Sequence, residues 1–397
     1  MKNNKYEIDM CNGTLMDKLI SFAIPLMLSG MLQLMFNAVD IIVVGRFTGS
    51  TALAAVGSTT ALISTFTNLF IGVSLGANVL AARFYATGKS KEMSETVHTA
   101  IALAAISGVV MCIIGIAAAR EALVLIDTPD DVIGQAALYL RLYFCGMPFF
   151  MLYNYGAAIL RAVGDTKRPL MYLIIAGSTN AVLDLVLVII FKMGVAGVAI
   201  GTVTSQLISC ILVIRCLMIT ESDYKLRIRD LRIRKYYLLQ ILSVGLPAGI
   251  QSTVINFSNV LLQSSVNSFG EIAMAGYTAA NNILGFLYVS VNSITQACMS
   301  FTSQNYGVRK FKRMDKVLID CMILSVIVSV VIGGGSYILG RQILGIYTNQ
   351  SEVIECGMEI LSISTIPYFL CGIMDLFPGA LRGMGHSAVP IDRKSVV

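Results

Sequence analysis

Residues 19–45 read LISFAIPLMLSGMLQLMFNAVDIIVVG, an apolar run long enough to cross a bilayer that nevertheless contains one acid, Asp40. A second run, IIAGSTNAVLDLVLVII at 174–190, contains Asp184 in the same way. A charged side chain in the middle of a membrane span costs roughly 2.5–3.5 kcal/mol on insertion scales, so such residues are usually functional. The two acids therefore predict an ion or proton site that faces the interior of a helix bundle, as in a secondary transporter.

The whole composition indicates an all-α polytopic membrane protein. Of the 397 residues, 56% are hydrophobic and 13% are charged, and the mean hydropathy is +0.76, whereas a soluble protein has about 25% charged residues. Apolar stretches of roughly 20 residues, the length of a transmembrane helix, recur along the chain. The ten predicted spans lie at about 18–42, 53–78, 95–118, 133–160, 169–191, 195–219, 240–266, 273–300, 317–339 and 353–381.

The distribution of basic residues predicts the orientation of these spans. Most of the 29 lysines and arginines fall in one set of loops, while the alternate loops carry only Arg46, Arg120, Lys192 and Arg341. The positive-inside rule places the basic loops and both termini in the cytoplasm. Because the positive charge is spread over several loops, it indicates membrane topology, and we expect no nucleic-acid partner.

The second half of the chain resembles the first with a shift of about 221 residues. SFAIPLMLSG at Ser21 matches SVGLPAGIQS at Ser243, and LRAVGDTKRP at Leu160 matches LRGMGHSAVP at Leu381. The shift crosses six spans, an even number, so the repeat is parallel. It predicts an amino-terminal lobe of six helices at 1–219, a basic cytoplasmic connector at 220–239, and a carboxy-terminal lobe at 240–390.

The carboxy-terminal lobe contains four of the six helices that the repeat predicts. Counterparts of residues 169–219 would fall at about 390–440, beyond Val397. We therefore expect that two helices have been lost from this end of the chain, which could itself make the chain inactive. Residues 391–397, IDRKSVV, begin no span and are predicted to be a non-native tail.

Several motifs distinguish this chain as a possible member of a known family. They are N-A-V-D at 37–40, G-x-x-x-L-A-A-V-G at 49–57, L-R-A-x-G-D-T-x-x-P at 160–169 and L-R-G-M-G at 381–385. From Lys18 to about Pro390 the chain resembles the multidrug and toxic compound extrusion (MATE) family, in the branch with DNA-damage-inducible and archaeal members. The resemblance implies two lobes with alternating access in a bacterial inner membrane. It also implies export of amphipathic, cationic drugs or metabolites in exchange for H⁺ or Na⁺.

The resemblance also implies an ion site made of Asp40, Asn180, Asp184 and Thr202, whose occupancy bends the first helix near Pro25. Asn180 and Asp184 are four residues apart and share one helix face. Oxygen ligands suit Na⁺ and neighbouring carboxyls suit a shared proton, so the coupling ion stays open. A purely structural hydrogen bond between the acids is the alternative. The seventh span has no acid, and Asp375 is the substitute in the carboxy-terminal lobe.

Polar residues at helical spacing on the first and seventh spans predict a central cavity. The predicted lining residues are Gln33, Asn37, Asn256, Asn259, Gln263 and Asp375. Packing between helices is the alternative role for such residues. The expected partners are small organic substrates and the lipid bilayer, the expected oligomeric state is a monomer, and no cofactor is expected apart from the coupling ion.

Two other functions compete with antiport. A lipid-linked oligosaccharide flippase of the same superfamily would need basic residues in its cavity, and the predicted spans have almost none. An intramembrane hydrolase would need a nucleophile, and G-V-S-L-G at 72–76 resembles the G-x-S-x-G motif. That motif requires a strand–turn–helix, whereas this segment lies in a predicted transmembrane helix. We therefore predict that the protein is not an enzyme.

Overall fold

The structure, a computed structural model, describes residues 6–126, 128–348 and 350–389, and the regular structure of these residues is helical. The amino-terminal half contains α1 (Met16–Phe47), α2 (Ser50–Ala86), α3 (Ser90–Leu125), α4 (Asp130–Cys145), α5 (Met147–Ala162), α6 (Lys167–Leu185) and α7 (Val195–Ile219). The carboxy-terminal half contains α8 (Lys235–Asn267), α9 (Glu271–Gly307), α10 (Phe311–Val328), α11 (Gly334–Ile338), α12 (Gly340–Tyr347), α13 (Ser351–Thr365) and α14 (Tyr368–Gly383). Helices α6 and α10 continue directly into π-helical turns, Val186–Ile190 and Ser329–Gly333.

Within the described residues, the helices provide the ten predicted spans, but two of these are broken. Eight spans are long and apolar enough to cross a membrane individually, and the pairs α4/α5 and α13/α14 can each form one more. The pairs bend by 46° and 49°. The breaks fall beside Pro148 and Pro367, because proline lacks the N–H that an unbroken helix needs. Each of the predicted spans at 133–160 and 353–381 thus corresponds to two helices joined by a bend.

Two of the helices are much longer than a membrane requires. Helices α2 and α9 have 37 residues each, or about 55 Å of helix, whereas the hydrocarbon core is about 30 Å thick. Helix α8 also begins earlier than predicted, at Lys235, within the segment 220–239 that the sequence assigns to the connector. No glycine or proline interrupts the chain between Lys235 and Gly245, so the helix extends into that segment.

The repeat is visible in the backbone. Gly49 and Gly270, just before α2 and α9, have φ of 99° and 94°. Gly164 and Gly385, just after α5 and α14, have φ of 93° and 90°. The members of each pair occupy matching positions in the two halves, and left-handed φ values favour glycine. The predicted parallel repeat is confirmed.

The two halves contact each other closely along α2 and α8. A Cβ at Gly72 would overlap the backbone of Gly249, and a Cβ at Gly76 would overlap the Ile241 carbonyl oxygen. Such small residues allow membrane helices to pack backbone against backbone. In the described residues, every hydrogen bond between side chains of these two halves, such as Ser300 Oγ to Asn78 Oδ1 at 3.1 Å, lies toward the ends where α2 and α9 finish. We call this the joined end.

The N-terminal segment, residues 6–15, lies across the joined end and contacts both halves. The two carboxylate oxygens of Glu7 accept hydrogen bonds from Tyr85 Oη and Tyr224 Oη, both at 2.8 Å. Three residues later, the Met10 side chain is fully buried and its carbonyl accepts from Asn305 Nδ2 at 3.1 Å. The segment therefore links the amino-terminal half and its connector to the end of α9.

Candidate functional site

The packing of α1 on α6 brings the two predicted acids together. Phe36 of α1 lies against Gly177 of α6, where a Cβ would overlap the phenyl ring. Asp40 lies one helical turn beyond Phe36, and Asn180 and Asp184 lie one and two turns beyond Gly177, since residues three or four apart share a helix face. The absence of a side chain at Gly177 therefore allows these three polar residues to meet.

Asp40, Asn180 and Asp184 form a buried cluster. Asp184 is fully buried, and the exposed fractions of Asn180 and Asp40 are 5% and 9%. Asn180 Nδ2 lies 3.3 Å from each carboxylate oxygen of Asp184, and the carboxyl groups of Asp40 and Asp184 are close neighbours. Two neighbouring carboxyl groups can share a proton, because a protonated carboxyl donates a hydrogen bond and an ionised one accepts it. The cluster can hold a proton, and its oxygens are also the ligands that hard cations prefer.

Helix α7 approaches this cluster through Gly201. A Cβ at Gly201 would overlap Asp184 Oδ1 and lie 3.4 Å from Asn180 Nδ2. The neighbouring Thr202 is less directly involved, because its hydroxyl donates to the Val198 carbonyl of its own helix at 3.0 Å. The structure thus brings together three of the four residues of the predicted ion site, and the role of Thr202 as a ligand stays a prediction.

Two tyrosines of α4 adjoin the acids and were missed by sequence reasoning. Tyr139 is 6% exposed and lies within electrostatic range of both Asp40 and Asp184. Tyr143, one turn further along α4, lies beside Gln206 and within range of Asp40. Their spacing of four residues, which places both hydroxyl groups on one face of a predicted span, is the signal that could have identified them.

The predicted cavity residues lie on α1 and α8, away from the joined end. Gln33 and Asn37 of α1 and Asn259 of α8 are exposed, while Asn256 and Gln263 are half-buried. Asn256 Nδ2 has no hydrogen-bond partner among the described residues. Amide side chains in a membrane span are better satisfied by water than by lipid. This position supports the prediction that they line a cavity.

Pro25 lies inside α1, which runs through it without interruption. Ser29 Oγ donates to the Pro25 carbonyl at 2.7 Å. A proline removes one backbone hydrogen bond, so α1 is weakest at this turn. The prediction that the helix bends here concerns a second conformation of α1 and stays a prediction.

Asp375 of α14 lies among charged and polar neighbours. Arg382 and Tyr288 are within electrostatic range of its carboxyl group, and the half-buried Arg382 donates a hydrogen bond to Gln251 Oε1. A neighbouring guanidinium opposes binding of a second cation. Asp375 is therefore less suited to hold a coupling ion than the Asp40–Asp184 pair.

A further intramembrane acid, Asp320 of α10, was not predicted as a site residue. It is 8% exposed, and its Oδ2 atom is buried without a hydrogen-bond partner in the described part of the chain. It lies in the apolar run VLIDCMILSVIV, so the rule that singled out Asp40 would also have found it.

Comparison with known proteins identifies the family to which this chain is related. The MatE family model matches residues 25–186 and 247–391, more than half of the chain, in two segments that start at Pro25 and Pro247. The chain belongs to the MatE family. MatE relatives are transporters, so the prediction that this protein is not an enzyme is confirmed.

The proteins similar to this MatE chain include multidrug resistance and multidrug export proteins of bacteria. "Probable multidrug resistance protein YoeA" of Bacillus subtilis is 29% identical over 372 residues, which are 92% of this chain and 80% of that protein. "Multidrug export protein MepA" of Staphylococcus aureus is 23% identical over 376 residues, 93% of this chain and 81% of that protein. These matches confirm the predicted MATE resemblance and place the chain in a family of multidrug efflux transporters.

A solved structure confirms the fold of this MatE chain. It is described as the outward-facing conformation of a multidrug resistance MATE family transporter of the MOP superfamily. Its TM-score is 0.92 at 20% identity, over 99% of this chain and 87% of that one. The G-V-S-L-G segment at 72–76, which resembles a hydrolase motif, lies within helix α2 of this fold. Ser74 is fully buried there, and its hydroxyl donates to the Ile71 carbonyl at 2.7 Å.

Proposed function

We propose that this MatE protein is a secondary antiporter that exports amphipathic, cationic organic compounds in exchange for H⁺ or Na⁺. The observation that carries the proposal is the contact between Asp40 and Asp184, two buried acids on different helices. In the described residues, the hydrogen-bonding and electrostatic neighbours of this pair are Asn180 and tyrosine. No basic side chain among them neutralises the pair, so a cation or proton is the natural counter-charge.

The joined end supports an alternating-access mechanism. The basic loops assign this end to the cytoplasm by the positive-inside rule, and the exposed amides of α1 and α8 lie toward the other side. The arrangement then corresponds to a cavity that faces outward, with the acid pair within the wall of the amino-terminal half. A membrane location is supported by the spans, and the cytoplasmic N-terminus follows from the same charge rule.

The coupling mechanism follows from the position of the acids. Asp40 lies on α1, which also carries Gln33 and Asn37 of the proposed cavity. An ion that binds Asp40 and Asp184 together draws α1 toward α6, so the ion and the substrate compete through the position of one helix. A ligand can shift a conformational equilibrium only by its differential affinity for the two states, and the ion provides that difference here.

A transport assay on the full chain tests this proposal. Ethidium efflux from a drug-sensitive bacterium should be lost in Asp40→Asn and Asp184→Asn at unchanged membrane expression. Asp17→Asn is the matched control, because Asp17 is an exposed acid on the same helix and its replacement should leave efflux intact. Full efflux in both site variants would refute the role of the pair. No efflux by a wild type that carries the two predicted carboxy-terminal helices, at good membrane expression, would refute multidrug export.

The coupling ion can be identified in proteoliposomes that contain the purified chain. A proton gradient and a Na⁺ gradient are imposed separately, and uptake of ethidium into the vesicles is followed. The gradient that drives transport identifies the ion, and Asp184→Asn should abolish the response. Transport that is equally fast without either gradient would contradict antiport.

A further inference from the structure

A pocket of about 300 Å³ lies at the joined end, between the loop that follows α2 and the loop that follows α9. Its walls include Lys89 and Arg309 from these two loops. The ends of the adjoining helices supply Arg83, Phe84, Tyr306 and Phe311. These loops occupy matching positions in the repeat, so the pocket lies between equivalent parts of the two halves. Neither Asp40 nor Asp184 lines this pocket.

The pocket is positively charged. Arg83, Lys89 and Arg309 supply three cationic side chains, and none of the lining residues described in the structure is an acid. A cluster of like charges with no counter-charge is unfavourable unless an anion neutralises it. Phe311, 55% exposed, and Phe84 add apolar surface beside these charges.

Arg83 is held in a fixed position in the pocket wall. Its guanidinium lies over the Tyr306 ring, 5.1 Å from the centroid, and its Nη2 donates to the Met384 carbonyl at 3.1 Å. Its buried Nε has no hydrogen-bond partner among the described residues. A buried N–H without a partner is costly, and none of the ion pairs in the described part of the chain neutralises this guanidinium.

Arg309 occupies a backbone position that favours glycine. Its φ is 57°, and its counterpart in the first half is Gly88, with φ of 65°. A non-glycine residue in the left-handed region costs roughly 1–2 kcal/mol. The second half therefore has an arginine where the first half has glycine, which adopts this φ without strain. This arginine, Arg309, lines the pocket.

We propose that this pocket binds a phosphate group, either free or in the head group of an anionic lipid. The guanidinium groups of Arg83 and Arg309 match the geometry of phosphate oxygens, with which arginine forms paired hydrogen bonds. Arg83 comes from one half of the protein and Arg309 from the other. A phosphate bound between them bonds to both halves and stabilises the joined end.

The test is a thermal unfolding experiment on the purified full chain in phosphatidylcholine nanodiscs. The nine cysteines report unfolding through a maleimide that fluoresces on reaction. In one arm, inorganic phosphate is titrated against sodium chloride of equal ionic strength, and in the other, phosphatidylglycerol replaces part of the lipid. A saturable rise of the unfolding midpoint, beyond that in chloride, is expected in at least one arm because a ligand that binds the folded state stabilises it. The arm that responds identifies the source of the phosphate.

Variants decide whether the response comes from this pocket. Arg309→Gly removes the guanidinium and relieves the left-handed backbone, so the variant should fold at least as well as the wild type. In the arm to which the wild type responds, Arg309→Gly should raise the half-saturating concentration of phosphate or phosphatidylglycerol by about tenfold or more. A tenfold change corresponds to about 1.4 kcal/mol of binding free energy. Arg83→Gln should act in the same direction. Arg229→Gln is the matched control, because Arg229 is exposed in the connector, away from the pocket.

Two results would overturn the proposal. One is a wild-type chain whose unfolding midpoint does not rise in either arm. The other is a rise that is equally large in Arg309→Gly and Arg229→Gln, which would show a general effect of ionic strength. Neither result bears on the transport assay, since Arg83 and Arg309 lie outside the proposed ion site.

Discussion

Gly201 leaves no room for a side chain beside Asp184, because a Cβ at Gly201 would overlap Asp184 Oδ1. The α7 backbone thus forms one wall of the acid pair. The site therefore depends on glycine at position 201 as much as on the acids. Any larger residue at this position would displace the Asp184 carboxyl group from Asn180 and Asp40.

Gly201→Ala is therefore expected to abolish ethidium efflux while the protein still inserts into the membrane. The added methyl group must displace Asp184 or move α7, and overpacking of this kind typically costs about 1–3 kcal/mol. Gly134→Ala is the matched control, because no atom lies within 4 Å of a Cβ at that helical position. Normal efflux by Gly201→Ala would show that the position of Asp184 is not critical.

Gly72→Ala is expected to weaken the contact between the two halves. Its Cβ would overlap the Gly249 backbone, and backbone cannot rotate away as a side chain can. We expect a lower unfolding midpoint, from a loss of about 1–3 kcal/mol. Gly57→Ala, on the same helix but with nothing within 4 Å, should have no such effect. Equal midpoints for the two variants would contradict the close packing of α2 on α8.

Asp165→Ala is expected to destabilise the loop between α5 and α6. Asp165 is fully buried and forms an ion pair with Arg168, whose guanidinium also donates to Tyr224 Oη at 3.3 Å. Removing one partner of a buried ion pair costs about 3–5 kcal/mol, because the remaining charge is uncompensated. The unfolding midpoint should fall well below that of Asp230→Ala, a control at an exposed acid. Similar midpoints would mean that the pair is not structural.

Glu7→Ala is expected to release the N-terminal segment and expose Cys11. Burial raises the pKa of the Cys11 thiol, and only the thiolate reacts with a maleimide. Release should return the pKa toward its ordinary value and speed the labelling of Cys11, most clearly at neutral pH, where the raised pKa suppresses the thiolate. Mass spectrometry of the Cys11 peptide measures the rate, with Glu352→Ala, at an exposed acid, as the control. An unchanged rate would show that Glu7 does not anchor the segment.

The spans, the repeat and the acid pair were predictable because each leaves a strong local signal. Hydrophobic length marks the helices, matching glycines and prolines mark the repeat, and an acid such as Asp40 is conspicuous in an apolar run. The breaks beside Pro148 and Pro367 were missed because hydrophobicity continues through them. A bend depends on how the two helix segments pack against their neighbours, and hydropathy does not encode that packing.

The surroundings of the acids were less predictable. Tyr139 and Gly201 contribute through their distances to Asp184, and such distances depend on how α4 and α7 cross α6. The polar N-terminal segment gave no sign of structure either, although Met10 proves to be fully buried. Its order comes from hydrogen bonds to residues of both halves that are remote in sequence, such as Tyr85 and Asn305.

The glycine contacts between α2 and α8 have a consequence for the kinetics of transport. Where two backbones touch at Gly72 and Gly249, no rotamer change can loosen the contact by degrees. We therefore expect the helices to part over several turns at once, so that the joined end opens in an all-or-none step. In the proposed antiport, such a step would suppress slippage through half-open states, which would dissipate the ion gradient.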